Sequence, residues 1–331
     1  MRKFNTKVWV LFLGTLFLNS SLKADEEETH YTVFTNEGPW FTGPLLAPSA
    51  MTVKPGSWSV DFYANENVYR GTYDNNWKVH SSPNFYETTI QSQVKTGLLN
   101  GLDFQVTPKL YFNETEGQFY SNVGDLPLAL NIQLLTSKMQ DPWPNMKLSL
   151  KANAPTGKYQ HLHANKKGTD AIGAGSWLPA GSLVMSKLWN TSGIHYLESK
   201  LAITYQVGTA VLVKGLNSYG GASNTKGFVY PGNVVSVDAA IEYNLTQRWA
   251  LACDLYYAHN NKTRFSGNPG TSSDGSPAKM TSLSGEKWSL APALEYAWSK
   301  NIGLIAGVWF SFAGKNTYQF TNAMLTLSIY I

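Results

Sequence analysis

The chain has 331 residues, of which 26 are basic and 22 acidic, and it combines a low charged fraction of 15% with 13% aromatic residues. A single cysteine, Cys253, excludes an internal disulfide. No run of 18 or more apolar residues occurs, so the composition also excludes an ordinary transmembrane helix.

Residues 1–24 have the three parts of a secretory signal peptide. Arg2, Lys3 and Lys7 make a basic start, 8–18 is an apolar run, and the following polar stretch ends on Ala24. This order predicts export and cleavage after Ala24, because the apolar run is too short to span a membrane stably. A retained anchor helix is the alternative interpretation.

Loss of that segment would change the charge balance. It contains four basic residues and no acid, so removing it from 26 basic residues leaves 22, which equal the 22 acidic ones. A mature chain without net charge has no basic stripe, and nucleic acid is therefore not an expected partner.

Residues 25–56 begin with the acidic run Asp25–Glu28 and continue with many glycines and prolines, including Gly38, Pro39, Gly43 and Pro44. Such residues interrupt regular secondary structure. The stretch is predicted to be either a solvated periplasmic leader or a segment that folds into the lumen of the following domain.

Residues 57–331 alternate between apolar and polar side chains in runs of 10 to 14 residues, most clearly after residue 233. Strands of this length and period are typical of a membrane β-barrel, whose outward positions face lipid while the inward positions face the lumen. We predict an all-β fold: a transmembrane, antiparallel, up-and-down β-barrel of about twelve strands. The predicted strands are 57–69, 84–97, 102–112, 124–135, 146–155, 182–190, 194–207, 233–245, 248–260, 286–298, 301–313 and 318–331. Cys253 lies on an apolar, lipid-facing parity and is interpreted as a small hydrophobe.

The connections alternate in length. Short links follow even-numbered strands, at 98–101, 191–193, 246–247 and 299–300, and longer links follow odd-numbered strands, at 70–83, 156–181, 208–232 and 261–285. The link 113–123 is intermediate in length, and 314–317 is a short exception. Outer-membrane barrels have short periplasmic turns and longer external loops. The pattern predicts a bacterial outer-membrane location with both termini in the periplasm. Tryptophans near the strand ends fit interfacial girdles: Trp143, Trp189, Trp249 and Trp298 on one side, Trp77 and Trp288 on the other.

Charged residues on the inward parity are the candidate site. They are Asp103, Lys109, Lys147, Lys151, Lys200, Asp238, Glu242, Asp254 and Glu295. Two interpretations stay open: a packed interior of ion pairs, or a wet channel whose charges tune ion selectivity. Because lysines dominate strands three and five while acids dominate strands eight to ten, we predict opposite charges on opposite walls.

Three sequence stretches then follow one another in order: Gly124-Asp125-Leu126-Pro127-Leu128, Met146-Lys147-Leu148-Ser149-Leu150 and Pro155-Thr156-Gly157. This order resembles the outer-membrane family named for the MetA pathway of phenol degradation, in which a Gly-Asp-led strand precedes one ending in Pro-Thr-Gly. The match covers residues 124–157, about a tenth of the chain. It implies a transporter barrel for small, hydrophobic or aromatic solutes, without naming phenol as the substrate.

The sequence gives little support for catalysis or for metal or cofactor binding. His80 and His259 are not accompanied by a recognisable arrangement of nucleophile and base, and His161 and His163 lack a third metal ligand. No phosphate-binding loop or dinucleotide fingerprint is present. We therefore expect no enzyme activity, metal or cofactor. The expected function is uptake of small solutes; the alternatives are a structural or adhesive barrel acting through its loops, and a membrane-embedded lipid hydrolase.

The expected partners are outer-membrane lipid, a small-molecule solute and, during biogenesis, the barrel-assembly machinery. The chain ends on Tyr330-Ile331, whereas many such barrels end on Phe or Trp.

Overall fold

The computed structural model describes residues 38–331; the expected signal peptide and the acidic run Asp25–Glu28 lie outside the described residues. Within the described part, no helix is long and apolar enough to cross a membrane. The strands are β1 (Trp58–Tyr73), β2 (Val79–Leu99), β3 (Leu102–Val106), β4 (Lys109–Thr115), β5 (Gln118–Val123), β6 (Leu126–Leu135), β7 (Asn145–Ala154), β8 (Ala180–Ser192), β9 (His195–Gln206), β10 (Val211–Lys214), β11 (Lys226–Tyr230), β12 (Val234–Asn244), β13 (Trp249–Asn260), β14 (Arg264–Asn268), β15 (Gly285–Ser299), β16 (Ile302–Lys315) and β17 (Thr317–Tyr330). A short 3₁₀ helix spans Ala164–Lys166.

The long sheet closes on itself. β1 pairs antiparallel with both β2 and β17, and the other strands of this sheet pair antiparallel in the order β2, β3/β4, β5/β6, β7, β8, β9, β12, β13, β15, β16, β17. Counting β3 with β4, and β5 with β6, as two interrupted strands, residues 58–330 form a closed barrel of twelve antiparallel strands, which confirms the predicted fold class. The first interruption falls at Thr107-Pro108, where proline lacks the N–H that a ladder needs.

The outer surface of the barrel is apolar. On β13 the side chains of Trp249, Leu251 and Leu255 are 42%, 47% and 41% exposed, while Ala250 and Ala252 between them are buried. Such a surface is stable only where lipid replaces water, so the barrel crosses a membrane. On β13 the observed exposure follows the predicted alternation, so its lipid-facing positions could be assigned from the sequence.

One predicted loop is wrong. We expected a long link at 70–83, but β1 and β2 continue as a paired hairpin to Tyr73 and Val79, and only residues 74–78 form the turn. These extensions carry polar, exposed residues such as His80 and Ser81, so they lack the apolar face by which a lipid-crossing strand is recognised in a sequence. The other long links remain long, and the short turns lie at the end that also holds the C-terminus.

A second, three-stranded sheet stands beyond the long-loop end of the barrel. Its order, β10–β11–β14, repeats the order of the wall strands β9, β12 and β13 that lead into it. Val211, Val213 and Val229 form its buried face and pack against Met280 and aromatic loop residues. Two of the long loops therefore contain strands that their glycine-rich composition had concealed.

Asp125 fastens the loop 155–179 to the wall. Its Oδ1 accepts a hydrogen bond from Gly157 N at 2.9 Å, and its Oδ2 accepts one from Ala174 N at 2.8 Å. The Thr156 hydroxyl donates to the carbonyl oxygen of Gly124 at 2.7 Å. The residues that carry the family resemblance thus contact one another: the Gly-Asp pair that interrupts the fourth barrel strand holds the Thr-Gly pair after β7.

Candidate functional site: the barrel interior

Charged and polar side chains line the inside of the barrel. Seven of the nine candidate residues are buried, and two, Lys109 and Lys151, are half-buried. The buried ones are Asp103, Lys147, Lys200, Asp238, Glu242, Asp254 and Glu295. Buried charges need partners, because leaving water costs several kcal/mol per ion. The nine residues form three groups: those that bind the inner segment of the chain, those that pair with each other, and those that do neither.

The first group binds residues 40–53, which we call the inner segment. This segment begins at the short-turn end, where Trp40 N donates to the carbonyl oxygen of Gln247 at 3.1 Å. It then passes along the inner wall as irregular chain and returns to the same end at Pro55, which bridges to Gly97 on β2.

Two carboxylates hold the first half of the inner segment. Glu295 Oε2 accepts hydrogen bonds from Thr42 N at 2.7 Å and Gly43 N at 3.3 Å. Asp254 accepts three, from Leu45 N at 3.2 Å, Leu46 N at 3.3 Å and Ala47 N at 2.9 Å. A carboxylate that accepts several backbone N–H groups gains charge-assisted bonds, each stronger than a neutral one. These acids therefore satisfy backbone donors that irregular chain would otherwise bury without partners.

The second half of the inner segment is held from the opposite part of the wall. Val53 N donates to Asp103 Oδ2 at 2.9 Å, and Thr52 N donates to the side-chain oxygen of Gln133 at 2.8 Å. Asn131 donates to the other oxygen of Asp103 at 2.6 Å. Asp103 thus acts within a small buried network.

The wall is shaped to accept the segment closely. A Cβ added to Gly303 on β16 would lie 2.2 Å from the Thr42 hydroxyl oxygen, and one on Gly97 would lie 1.9 Å from the carbonyl oxygen of Lys54. Leu45 packs in a buried cluster with the inward-facing Ala291 and Ile305. Only small inward side chains leave room for a second layer of chain inside a twelve-stranded barrel.

The second group is an ion cluster around Lys200. Its ammonium lies 2.5 Å from Glu242 Oε1 and 3.5 Å from Glu198 Oε2, and the side chains of Lys200 and Glu242 are 6% and 0% exposed. This part of the lumen matches the ion-pair interpretation of the inward charges.

The third group makes no hydrogen bond to the inner segment. It comprises Lys109, Lys147, Lys151 and Asp238. Asp238 Oδ1 has no hydrogen-bond partner among the described residues. Lys151 on β7 and Asp238 on β12 line the same cavity from different walls. Lys109 and Lys147 line neither of the two cavities described below.

Two cavities lie on either side of the inner segment. One, of about 300 Å³, faces the long-loop end and is lined by Lys151, Asp238, Tyr256 and small wall residues. The other, of about 370 Å³, faces the short-turn end and includes Ser59, Lys95 and the turn 299–303. Leu46 and Pro48 line both cavities. The inner segment thus divides the lumen at these two residues.

The two histidines considered for a hydrolase each lie near one carboxylate. His80 Nε2 lies 2.9 Å from Asp74 Oδ2 in the exposed β1–β2 turn, and His259 Nδ1 lies 3.9 Å from Glu286. In residues 38–331, neither histidine hydrogen-bonds to a serine hydroxyl, and no group of three or more His, Cys, Asp or Glu side chains is placed to hold a metal ion.

Comparison with known proteins supports the architecture. No family model matches the sequence, and no curated protein matches it. The fold is similar to that of the "COG4313 outer membrane channel from Pseudomonas putida F1", with a TM-score of 0.63, 13% identity, and coverage of 86% of this chain and 98% of that one. The NanC porin and the TodX monoaromatic hydrocarbon channel (a deletion mutant) superpose less well: TM-scores 0.41 and 0.36, identities 10% and 9%, coverage 82% and 84% of this chain, and 98% and 90% of theirs.

This chain is an outer-membrane β-barrel. At such low identity the likeness establishes the fold, and the chemistry has to be argued from the barrel's own residues. The nine charged residues predicted to face inward are buried or half-buried. The sequence had not indicated that Asp103, Asp254 and Glu295 bind backbone, because N–H groups leave no side-chain signature.

Proposed function

We propose that this barrel is a channel for the uptake of small solutes, and that the inner segment closes its path in the conformation described. The single observation that supports this is the pair of polar-lined cavities separated by Leu46 and Pro48. A structural barrel needs no such cavities, because inward side chains can fill a small lumen completely.

The cavity near the long-loop end suggests the size of the solute. A volume of about 300 Å³ is at the lower end of the range for small-molecule sites. Its lining combines apolar groups, including Leu46, Ala202 and Tyr256, with the charges of Lys151 and Asp238. This lining would accept a small aromatic or hydrophobic molecule that carries one polar group.

The family assignment belongs to the same proposal. The contacts between Gly124-Asp125 and Thr156-Gly157 join the residues on which the resemblance rests, and they support membership in the family named for the MetA pathway of phenol degradation. Insertion by the barrel-assembly machinery and export with a cleaved signal peptide follow from the same membrane location.

Single-channel recording of the refolded protein in planar bilayers tests the function. We expect discrete conductance steps that benzoate or phenol blocks from the long-loop side. Ala202→Phe, which fills the cavity near the long-loop end, should abolish that block. Ala306→Phe, on the lipid-facing side of β16, should preserve it. If the wild type and a variant with a weakened inner segment (Asp254→Ala) are both silent although folded, the protein is not a channel.

A further inference from the structure

The outer face of the β10–β11–β14 sheet carries a basic and aromatic patch, which we call the outer patch. Its positively charged members are Lys214, Lys226 and Arg264, all exposed. Its apolar members are Leu212, Phe228 and Tyr230, exposed by 42%, 48% and 41%. The three strands contain no acidic residue.

Strand register brings these side chains together. Lys214 lies directly opposite Lys226, Leu212 opposite Phe228, and Tyr230 opposite Arg264. Like charges directly opposite one another destabilise an antiparallel pair. None of the three cations forms an ion pair with an acid among the described residues. An external anion would offset this repulsion.

The patch lies immediately beyond the lipid-facing surface. The links from wall to sheet are only 207–210, 231–233 and 261–263, so the sheet begins within roughly 13 Å of the wall strands. Its opposite face packs against Tyr159, Tyr219 and Met280 of the loops, so the outer patch is turned away from the molecule. It therefore continues the barrel's lipid-facing side at the level of the headgroups of the outer leaflet.

We propose that the outer patch binds the phosphorylated sugar headgroup of an outer-leaflet glycolipid of the lipopolysaccharide type. Lysine and arginine are the side chains that bind phosphate, and arginine does so with two parallel hydrogen bonds. The rings of Phe228 and Tyr230 provide apolar surfaces on which sugar rings pack. Clustered cations next to a membrane segment attract anionic headgroups in the same way.

The test measures binding of purified, phosphorylated lipopolysaccharide to the full-length protein in detergent at about 0.15 M salt. The triple variant Lys214→Gln/Lys226→Gln/Arg264→Gln should lose at least about tenfold in affinity. The matched control Lys78→Gln/Lys167→Gln/Lys279→Gln removes three other exposed loop charges and should lose less than about twofold. The charge-preserving variant Lys214→Arg/Lys226→Arg/Arg264→Lys should retain binding, which separates charge from folding.

Two comparisons identify the occupant. Enzymatically dephosphorylated lipopolysaccharide should bind wild type as weakly as the triple variant binds the phosphorylated form. Equal losses in the test and control triples, or no loss in either, would overturn the proposal. Equal binding of a soluble inositol polyphosphate would also overturn it, because the occupant would then be a soluble polyanion.

Discussion

The carboxylate of Asp254 accepts a hydrogen bond from the backbone N–H of Ala47 at 2.9 Å, although the two residues are 207 positions apart. The same carboxylate accepts the N–H groups of Leu45 and Leu46. One side chain of β13 therefore anchors the part of the inner segment that separates the two cavities.

Replacing this anchor should open the lumen. Asp254→Ala leaves three N–H groups without their acceptor, at a cost of roughly 1–3 kcal/mol for each group that finds no other partner. We expect a higher single-channel conductance or more frequent openings than in wild type. Asp274→Ala, which removes an exposed loop acid with no bond to the segment, is the control. Identical recordings for wild type and Asp254→Ala would show that the segment does not limit ion flow.

Neutralising lysines on one wall should change ion selectivity. A unit charge about 4 Å from a passing ion in water contributes about 1 kcal/mol, which is roughly a fivefold change in preference. Lys147→Gln/Lys151→Gln should therefore shift the reversal potential in a KCl gradient toward cations. Lys262→Gln/Lys279→Gln in the loops should leave it nearly unchanged. The opposite-wall hypothesis fails if both pairs behave alike.

The Lys200–Glu242 ion pair should be strongly coupled. Removing one partner of a buried pair leaves an uncompensated charge and typically costs about 3–5 kcal/mol. We expect Lys200→Met to lower the urea midpoint of unfolding in lipid vesicles. Lys200→Met/Glu242→Gln should recover part of that loss, because both charges are then absent. If the loss in the double variant equals or exceeds the summed losses of Lys200→Met and Glu242→Gln, the two residues are not coupled.

The β1–β2 turn should respond to acid. The hydrogen bond from His80 lowers the pKa of Asp74, and the backbone N–H groups of Lys78 and Asn76 add to this effect. A carboxyl with a lowered folded-state pKa stabilises the fold above its unfolded pKa of about 3.9, and that contribution is lost as the pH falls through the folded value. Wild type should therefore protect the amides of residues 74–78 from exchange better than Asp74→Asn at pH 7.

The difference in amide protection between wild type and Asp74→Asn should vanish at acid pH, because a protonated Asp74 side chain resembles Asn. Amide exchange of both proteins at each pH provides the measurement. A gap that persists below the folded-state pKa of Asp74 would mean that its charge is not what orders the turn.

Removing Asp125 should release the loop 155–179. Asp125→Ala deletes the acceptor for Gly157 N and Ala174 N, and hydrogen bonds to a charged group contribute about 1.5–3 kcal/mol each. We expect faster tryptic cleavage after Lys158, Lys166 and Lys167. Asp141→Ala, in the loop at the opposite end, should leave these cleavage rates unchanged. Unaltered cleavage in Asp125→Ala would show that the loop is held by other contacts.

The barrel was predictable because its stability depends on a repeated physical rule. Lipid-facing residues are mostly apolar, so alternation over 10 to 14 residues, together with the turns, predicted twelve strands and the lipid-facing side of those that alternate most clearly. The tight turns at Gly101 and Gly193 marked one end of the barrel. The extensions of β1 and β2 escaped prediction because strands outside the membrane need no apolar face.

The position of the inner segment could not be predicted from hydrophobic alternation. Residues 40–53 have no period, and their bonds to Asp103, Asp254 and Glu295 use backbone N–H groups that every residue except proline has. The sequence showed that these acids face the lumen, but only the fold shows which ones meet the chain. Strands β10, β11 and β14 are four or five residues long and lie among glycines, so no alternation could distinguish them.

The long-range contacts of the inner segment have a consequence for how the protein folds. The segment that precedes β1 finds its acceptors on β3, β13 and β15, so its contacts span nearly the whole chain. Such distant contacts form late, because the chain between them must first be ordered. We therefore expect the inner segment to dock late in folding, onto wall strands that are already paired.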